Sequence, residues 1–289
     1  MEEKALRLSA VFLMILTAVS FVLLPKLPAL HTWEVEAREE RIAEEEFAQS
    51  QVTMQNLKIK EQNEAAGAKG ELSIRLPEGV TGDQIAVSND YVTQTIRVEI
   101  PQADRTYFDS YPVLGNSDYI DGLSYTRQGE TGVIEVTTNR VYELQTEYDT
   151  QNFYFNFLTP HEVYDKVVVI DAGHGGRAVG ANKQGINEKD IDLAIVLKLK
   201  EIFDNSDQNI GVYYTRTDDS NPTFDQRVQL ANKSDADLFI SIHNNSTRSG
   251  RMSGTSGTQV MYDETSEASR QFAQICLEEV TGRIGSRDK

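Results

Sequence analysis

Residues 167–176 read VVVIDAGHGG: four β-branched apolar residues, an aspartate, and then a glycine-rich break around one histidine. A short β-branched run bounded by turn residues reads as a buried strand, so a strand ends at Asp171 and delivers His174 just beyond it. Gly173, Gly175 and Gly176 let the backbone turn sharply there, so that His174 faces a cleft. The chain has only four histidines, and a second apolar run, DLFISIHNN at 237–245, again ends on one of them, His243.

Working outward from these two runs, periods of two and of 3.6 residues alternate. EKDIDLAIVLKLKEIFD carries Ile191, Leu193, Ala194, Leu197 and Ile202 at helical spacing, and IGVYYTR follows as a strand. A helix around TFDQRVQLAN, the strand DLFISIH, a strand GTQVMY and a helix from about Ser266 to Val280 complete the region. Alternating strands and helices predict an α/β domain over 166–289 with a mostly parallel sheet flanked by helices. Ligands of such sheets collect beyond the carboxyl ends of the strands, where Asp171, His174 and His243 sit.

Upstream, residues 71–158 change character. ELSIRL, DQIAVS, TQTIRVEI, GVIEVTT, RVYELQTEY and NFYFNFL are short and β-branched or aromatic, with turn signals such as EGVTGD and RQGETG between them. They predict a small all-β module, and no cluster of ionisable groups in it has a catalytic pattern. Residues 34–70, rich in Glu, Gln, Ala, Arg and Lys, read as an acidic helical or disordered stalk whose glutamates form a solvated face. Residues 8–24 carry no charge and as a helix would cover roughly 26 Å, close to the hydrocarbon thickness of a bilayer. They predict a transmembrane signal anchor. Lys4 and Arg7 before it, and the glutamates after it, place the N-terminus in the cytoplasm and the domains outside the cell membrane. A cleaved signal peptide needs a small-X-small site, which LLPKLPALHTW supplies poorly.

The 289-residue chain has a formal net charge of -17, which excludes a phosphate-tracking surface and nucleic acid as a partner. Cys276 is the only cysteine, so neither a disulfide nor a thiolate zinc site is available within the chain. A metal would have to use histidine and carboxylate. Hydrolytic zinc sites commonly take three such ligands and leave a fourth position open, and two histidines delivered to one sheet rim suit that arrangement. Glu188, in GINEKD at the start of a helix, is the third candidate, its charge favoured by the positive end of the helix dipole. Taken singly, each has a plainer account: a hydrogen-bonded histidine at a strand end, a capping glutamate at a helix start. The glycine loop matches neither GxGxxG nor GxxxxGK[ST], which argues against a nucleotide. His31 and His161 lie in contexts that suggest no ligation.

Five blocks in order, VVVIDAGHGG, GANKQGINEKD, VYYTRTDD, RVQLANKSDADLFISIHNN and SGTQVMY, resemble the zinc-dependent N-acetylmuramoyl-L-alanine amidases of the Amidase_3 family. The resemblance covers about Lys166 to the C-terminus. It implies that His174, Glu188 and His243 are ligands of Zn2+, and that the activity is hydrolysis of the amide between N-acetylmuramic acid and L-alanine in peptidoglycan. The β module is similar in position and strand content to the AMIN-type domains that accompany such amidases. Asp171 is a candidate for orienting His174 or for a turn, and Asn244 and Asn245 are candidates for hydrogen bonds to glycan or peptide. Arg216, Arg227 and Asn232 read as structural residues that pair and cap.

The family places a catalytic glutamate on a final strand, in a block resembling VExGFxSN, whereas this sequence ends at TGRIGSRDK. Glu278 and Glu279 belong to the preceding helix and do not match it, so the catalytic residue is expected beyond Lys289. The expectation is a fragment of a complete amidase that binds zinc with little turnover of its own. The alternatives are a non-catalytic, membrane-anchored peptidoglycan-binding protein and a zinc peptidase on the same rim.

Overall fold

The computed structural model describes residues 28–61, 69–244 and 257–284, so the run at 8–24 and Asn245 lie outside the described residues. Among the described residues no helix is long and apolar enough to cross a membrane.

Helix α1 (Pro28–Ser50) leads into β1 (Gln55–Asn56) and β2 (Lys60–Glu61). There follow β3 (Leu72–Arg75), β4 (Ala86–Asp90), β5 (Thr95–Pro101), α2 (Arg105–Ser110), β6 (Leu114–Gly115), β7 (Ile120–Gln128), β8 (Thr131–Thr138), β9 (Glu143–Tyr148) and β10 (Asn152–Leu158). They form two five-stranded sheets, ordered β1-β7-β8-β5-β4 and β2-β6-β3-β10-β9. Alternate residues of β5 (Ile96, Val98, Ile100) and of β10 (Phe153, Phe155, Phe157) are buried, and both sets join one core. The two inner faces therefore pack as a sandwich. The sequence reading had no strand at β7, because Asp121 and Gly122 break its alternation. The strand bulges at that point and is held by its long antiparallel ladder with β8.

Within the segment expected as a stalk, 34–70, α1 is helical as far as Ser50 and the residues after it contribute short strands. Gln55–Asn56 adds an edge to the first sheet, Lys60–Glu61 adds one to the second, and α1 packs against the α/β unit with Ala43 buried in the contact. Backbone groups satisfied by a neighbouring strand, and a small residue that lets the helix approach closely, hold a segment whose composition alone looks solvated.

The α/β unit contains α3 (Pro160–Val163), β11 (Lys166–Ala172), the hairpin β12 (Asn182–Lys183) and β13 (Ile186–Asn187), α4 (Glu188–Asp204), β14 (Ile210–Tyr214), α5 (Phe224–Lys233), β15 (Leu238–Ile242) and α6 (Glu267–Ile284). Its sheet is ordered β14-β11-β15, with β11 parallel to both neighbours. Antiparallel pairing predominates over the described chain as a whole, so the expected mostly parallel sheet reduces to these three strands. Of GTQVMY, Thr258 is a bridge residue and no longer strand is assigned, and among the described strands β15 stands at the sheet edge, half-exposed along its length.

β11 is buried on both faces. Val167 and Val169 pack with Tyr213 and Leu230, while Ile170 and Ala172 pack with Val196 of α4. Burying each such valine or isoleucine contributes about 1.5–3 kcal/mol, which makes this strand the fixed rail on which the rim is built. In α4 the inward residues are Asp192 and Val196, whereas Ile191, Ile195, Leu197 and Ile202 are exposed. The stripe read from the sequence thus faces partly outward. The β unit packs onto the same sheet through Val141, and Glu143 accepts hydrogen bonds from the hydroxyls of Tyr213 (2.6 Å) and Tyr91 (2.8 Å).

Candidate metal centre

Ala172 of β11 pairs with Ile242 of β15, and Gly173 N donates to the Ile242 carbonyl, so the two strands end level with each other. Parallel strands in register deliver their next residues to one rim, which is why His174 and His243 meet although 69 positions separate them. His174 adopts φ +57°, a left-handed conformation uncommon for a residue with a side chain and found disproportionately at functional sites. Two glycines make room for the rings. A Cβ on Gly173 would lie 2.3 Å from His243 Cε1, and one on Gly180 would lie 2.5 Å from His174 Cδ2.

Glu188 enters as the first residue of α4, where the hairpin β12–β13 turns the chain back towards the rim. Its Oε2 accepts from Ala181 N (2.7 Å) and its Oε1 from Asn244 N (2.8 Å). His174 Nε2 stands 3.3 Å from Glu188 Oε2, while His243 Nδ1 stands 3.2 Å from both Glu188 Oε1 and His174 Nε2. The structure therefore brings together all three residues singled out in the sequence.

It also adds a fourth. Asp192, one helical turn beyond Glu188 and so on the same face, offers a ligand atom in a group with the other three, all within 4.8 Å of one another. Asp192 is fully buried; its Oδ1 accepts from Asn244 Nδ2 (2.7 Å), and its Oδ2 has no hydrogen-bond partner. The Glu188/Asp192 spacing was the sequence signal for this residue.

The electrostatics are those of a cation site. Burial pushes the Asp192 carboxyl up to about 7. Burial also opposes the charge on Glu188, but hydrogen bonds with His174 and His243 hold its carboxyl well below the usual range. For His174 burial disfavours the charged ring, yet the carboxylates of Glu188 and Glu39 hold it up to about 10. A buried carboxylate oxygen without a partner and two imidazoles facing it make a donor set that fits a divalent ion. The 3.2 Å between His174 Nε2 and His243 Nδ1 is close to the edge, about 3.3 Å, of a tetrahedron with metal–ligand bonds of about 2.0–2.1 Å, and each imidazole faces a different oxygen of Glu188.

Asp171 does not touch the His174 ring. It is buried, accepts from Thr215 Oγ1 and Ser241 Oγ, and pairs with Arg227. Arg227 in turn donates to the carbonyls of Ala172 and His174, and Arg216 donates to those of Ala172 and Gly173. These groups fix the loop backbone and leave the ring to others. His161 Nε2 lies against the Asp235 carbonyl, outside the cluster. Glu39 of α1, placed by the sequence on a solvated face, lies 3.1 Å from His174 Nδ1.

Residues 168–289 match the family Amidase_3, described as N-acetylmuramoyl-L-alanine amidase. N-acetylmuramoyl-L-alanine amidase CwlM of Bacillus licheniformis is 33% identical over 122 residues, which cover 42% of this chain and 46% of that protein. The sporulation-specific N-acetylmuramoyl-L-alanine amidase of Bacillus subtilis is 30% identical over 122 residues, again 42% of this chain and 46% of that protein. The chain thus spans about half the length of these curated relatives. Among solved structures, the catalytic domain of CwlV, an N-acetylmuramoyl-L-alanine amidase from Bacillus (Paenibacillus) polymyxa var. colistinus, is 36% identical. The match covers 43% of this chain and 67% of that one, with a TM-score of 0.39.

Proposed function

We propose that the Amidase_3 domain holds a zinc ion on His174, Glu188 and His243 and serves hydrolysis of the amide between N-acetylmuramic acid and L-alanine in peptidoglycan. The observation that carries this reading is the convergence, within 3.3 Å, of polar atoms from three side chains that three separate elements deliver to one rim. When bound, such an ion lowers the pKa of water and polarises an amide carbonyl. The residues of the chain do the positioning. Arg216 and Arg227 clamp the backbone carbonyls of 172–174, which sets the direction of His174. The Asn244 and Ala181 backbone N–H groups each donate to one oxygen of Glu188 and so fix its carboxylate. The β unit, AMIN-like in position and packed on the sheet through Val141 and Glu143, presents the site to the wall. The uncharged run at 8–24 supports an anchor that keeps both units on the wall side of the cell membrane, and fractionation of cells producing the full chain would test it.

Zinc content of the purified full chain, compared with His174→Ala, Glu188→Gln and His243→Ala, tests the site. Release of new L-alanine amino termini from sacculi tests the reaction. Sacculus binding with stoichiometric zinc but no new amino termini would favour a binding role, and cleavage within the stem peptide would favour a peptidase.

A further inference from the structure

We propose that α1 belongs to the metal centre: Glu39 is a positioning residue that holds the outer nitrogen of His174, so that docking of the helix and binding of the ion strengthen each other. This inference rests on the zinc reading above. His174 uses both ring nitrogens. Nε2 lies 3.2 Å from His243 Nδ1 and 3.3 Å from Glu188 Oε2, while Nδ1, which points away from that side, lies 3.1 Å from Glu39 Oε2. A metal-ligating imidazole characteristically gives its other N–H to a carboxylate, which fixes the tautomer and the ring plane and raises the basicity of the ligating nitrogen. Here that carboxylate comes from 135 positions earlier in the chain.

The helix is held in place by a row of specific contacts. Glu40 Oε2 accepts from Phe224 N (2.8 Å) at the start of α5. Glu46 accepts from Arg177 N and Nε (both 3.0 Å) and from Asn221 Nδ2 (3.1 Å). Ala43 is buried between them. Positions 36, 39, 40, 43 and 46 recur at helical spacing, so one face of α1 lies across the loops that follow β11 and β14, on the ligand-bearing rim. Glu36 on that face leaves Oε1 buried without a hydrogen-bond partner. The docked helix thereby adds Glu39 to the carboxylates of Glu188 and Asp192 beside the two imidazoles. A divalent cation offsets this excess of negative charge, and what the ion gains from the docked helix the helix gains from the ion.

The test uses the full chain in detergent micelles, with zinc affinity measured by competition against a chromophoric chelator. Trypsin cleavage after Arg38 and Arg41, both on the exposed side of α1, is followed with and without zinc. Glu39→Ala is expected to weaken zinc binding about 10–100-fold. Glu39→Gln, which keeps a carbonyl acceptor for the ring N–H, loses less, and the exposed control Glu44→Ala loses nothing. Zinc is expected to slow cleavage in the unmodified chain and not in Glu39→Ala. Unchanged zinc affinity in Glu39→Ala, tighter affinity, or cleavage indifferent to zinc would each overturn the proposal. Absence of zinc uptake by the unmodified chain would be a distinct result, one that removes the metal reading and this inference with it.

Discussion

Arg227 Nη1 lies 2.5 Å from Asp171 Oδ1, with both side chains 3% exposed, directly beneath the loop that carries His174. Removing one partner of a buried pair leaves an uncompensated charge. Asp171→Ala is therefore expected to cost about 3–5 kcal/mol in urea unfolding. Asp171→Leu combined with Arg227→Met should lose clearly less than the sum of the single changes, because the stranded charge is gone.

The same pair sets an acid limit. Burial pushes the Asp171 carboxyl up, but Arg227 and the Ser241 hydroxyl outweigh it and bring it down from 3.8 to about 2. A folded-state value below the unfolded one contributes stability that is present above about pH 4 and is lost as pH falls from there towards 2, worth about 2 kcal/mol. Stability measured by denaturant between pH 5 and 2 should show this slope, and Asp171→Ala should lack it.

Gly173→Ala places a methyl 2.3 Å from His243 Cε1 and 2.6 Å from its Nδ1. The Gly173 backbone has no positive φ, so alanine meets no torsional penalty and the strain falls on the ring. Zinc affinity should drop about tenfold or more. A chelator titration beside a thermal melt separates this local effect from a loss of fold.

Glu143 joins the two units by accepting from Tyr213 and Tyr91. Tyr213→Phe removes one charge-assisted hydrogen bond from a partly buried carboxylate and should cost about 1.5–3 kcal/mol. Global unfolding unchanged within error in Tyr213→Phe would show that this contact does not hold the units together.

Several of these features can be read in the sequence. β11 is legible because four β-branched residues in a row can be buried on both faces only in a sheet, and its end is legible because glycines follow. The candidates His174, Glu188 and His243 are legible as residues at the ends of regular elements. Asp192 carried a weaker signal, a carboxylate four residues beyond Glu188, masked by the apolar residues around it. The role of Asp171 was not legible, because an aspartate at a strand end gives no indication whether an arginine 56 positions later or a histidine three positions later will meet it.

By itself the sequence determined the local periods: where strands and helices run, where glycine permits the backbone to turn, and which ionisable groups stand at their ends. Those follow from interactions among residues a few positions apart. Only the tertiary structure decided which of these groups meet. The register of β11 with β15 levels the two histidines, and the docking of α1 carries Glu39 to His174. Both depend on contacts between distant segments, whose partners compete for burial and hydrogen bonding over the whole chain.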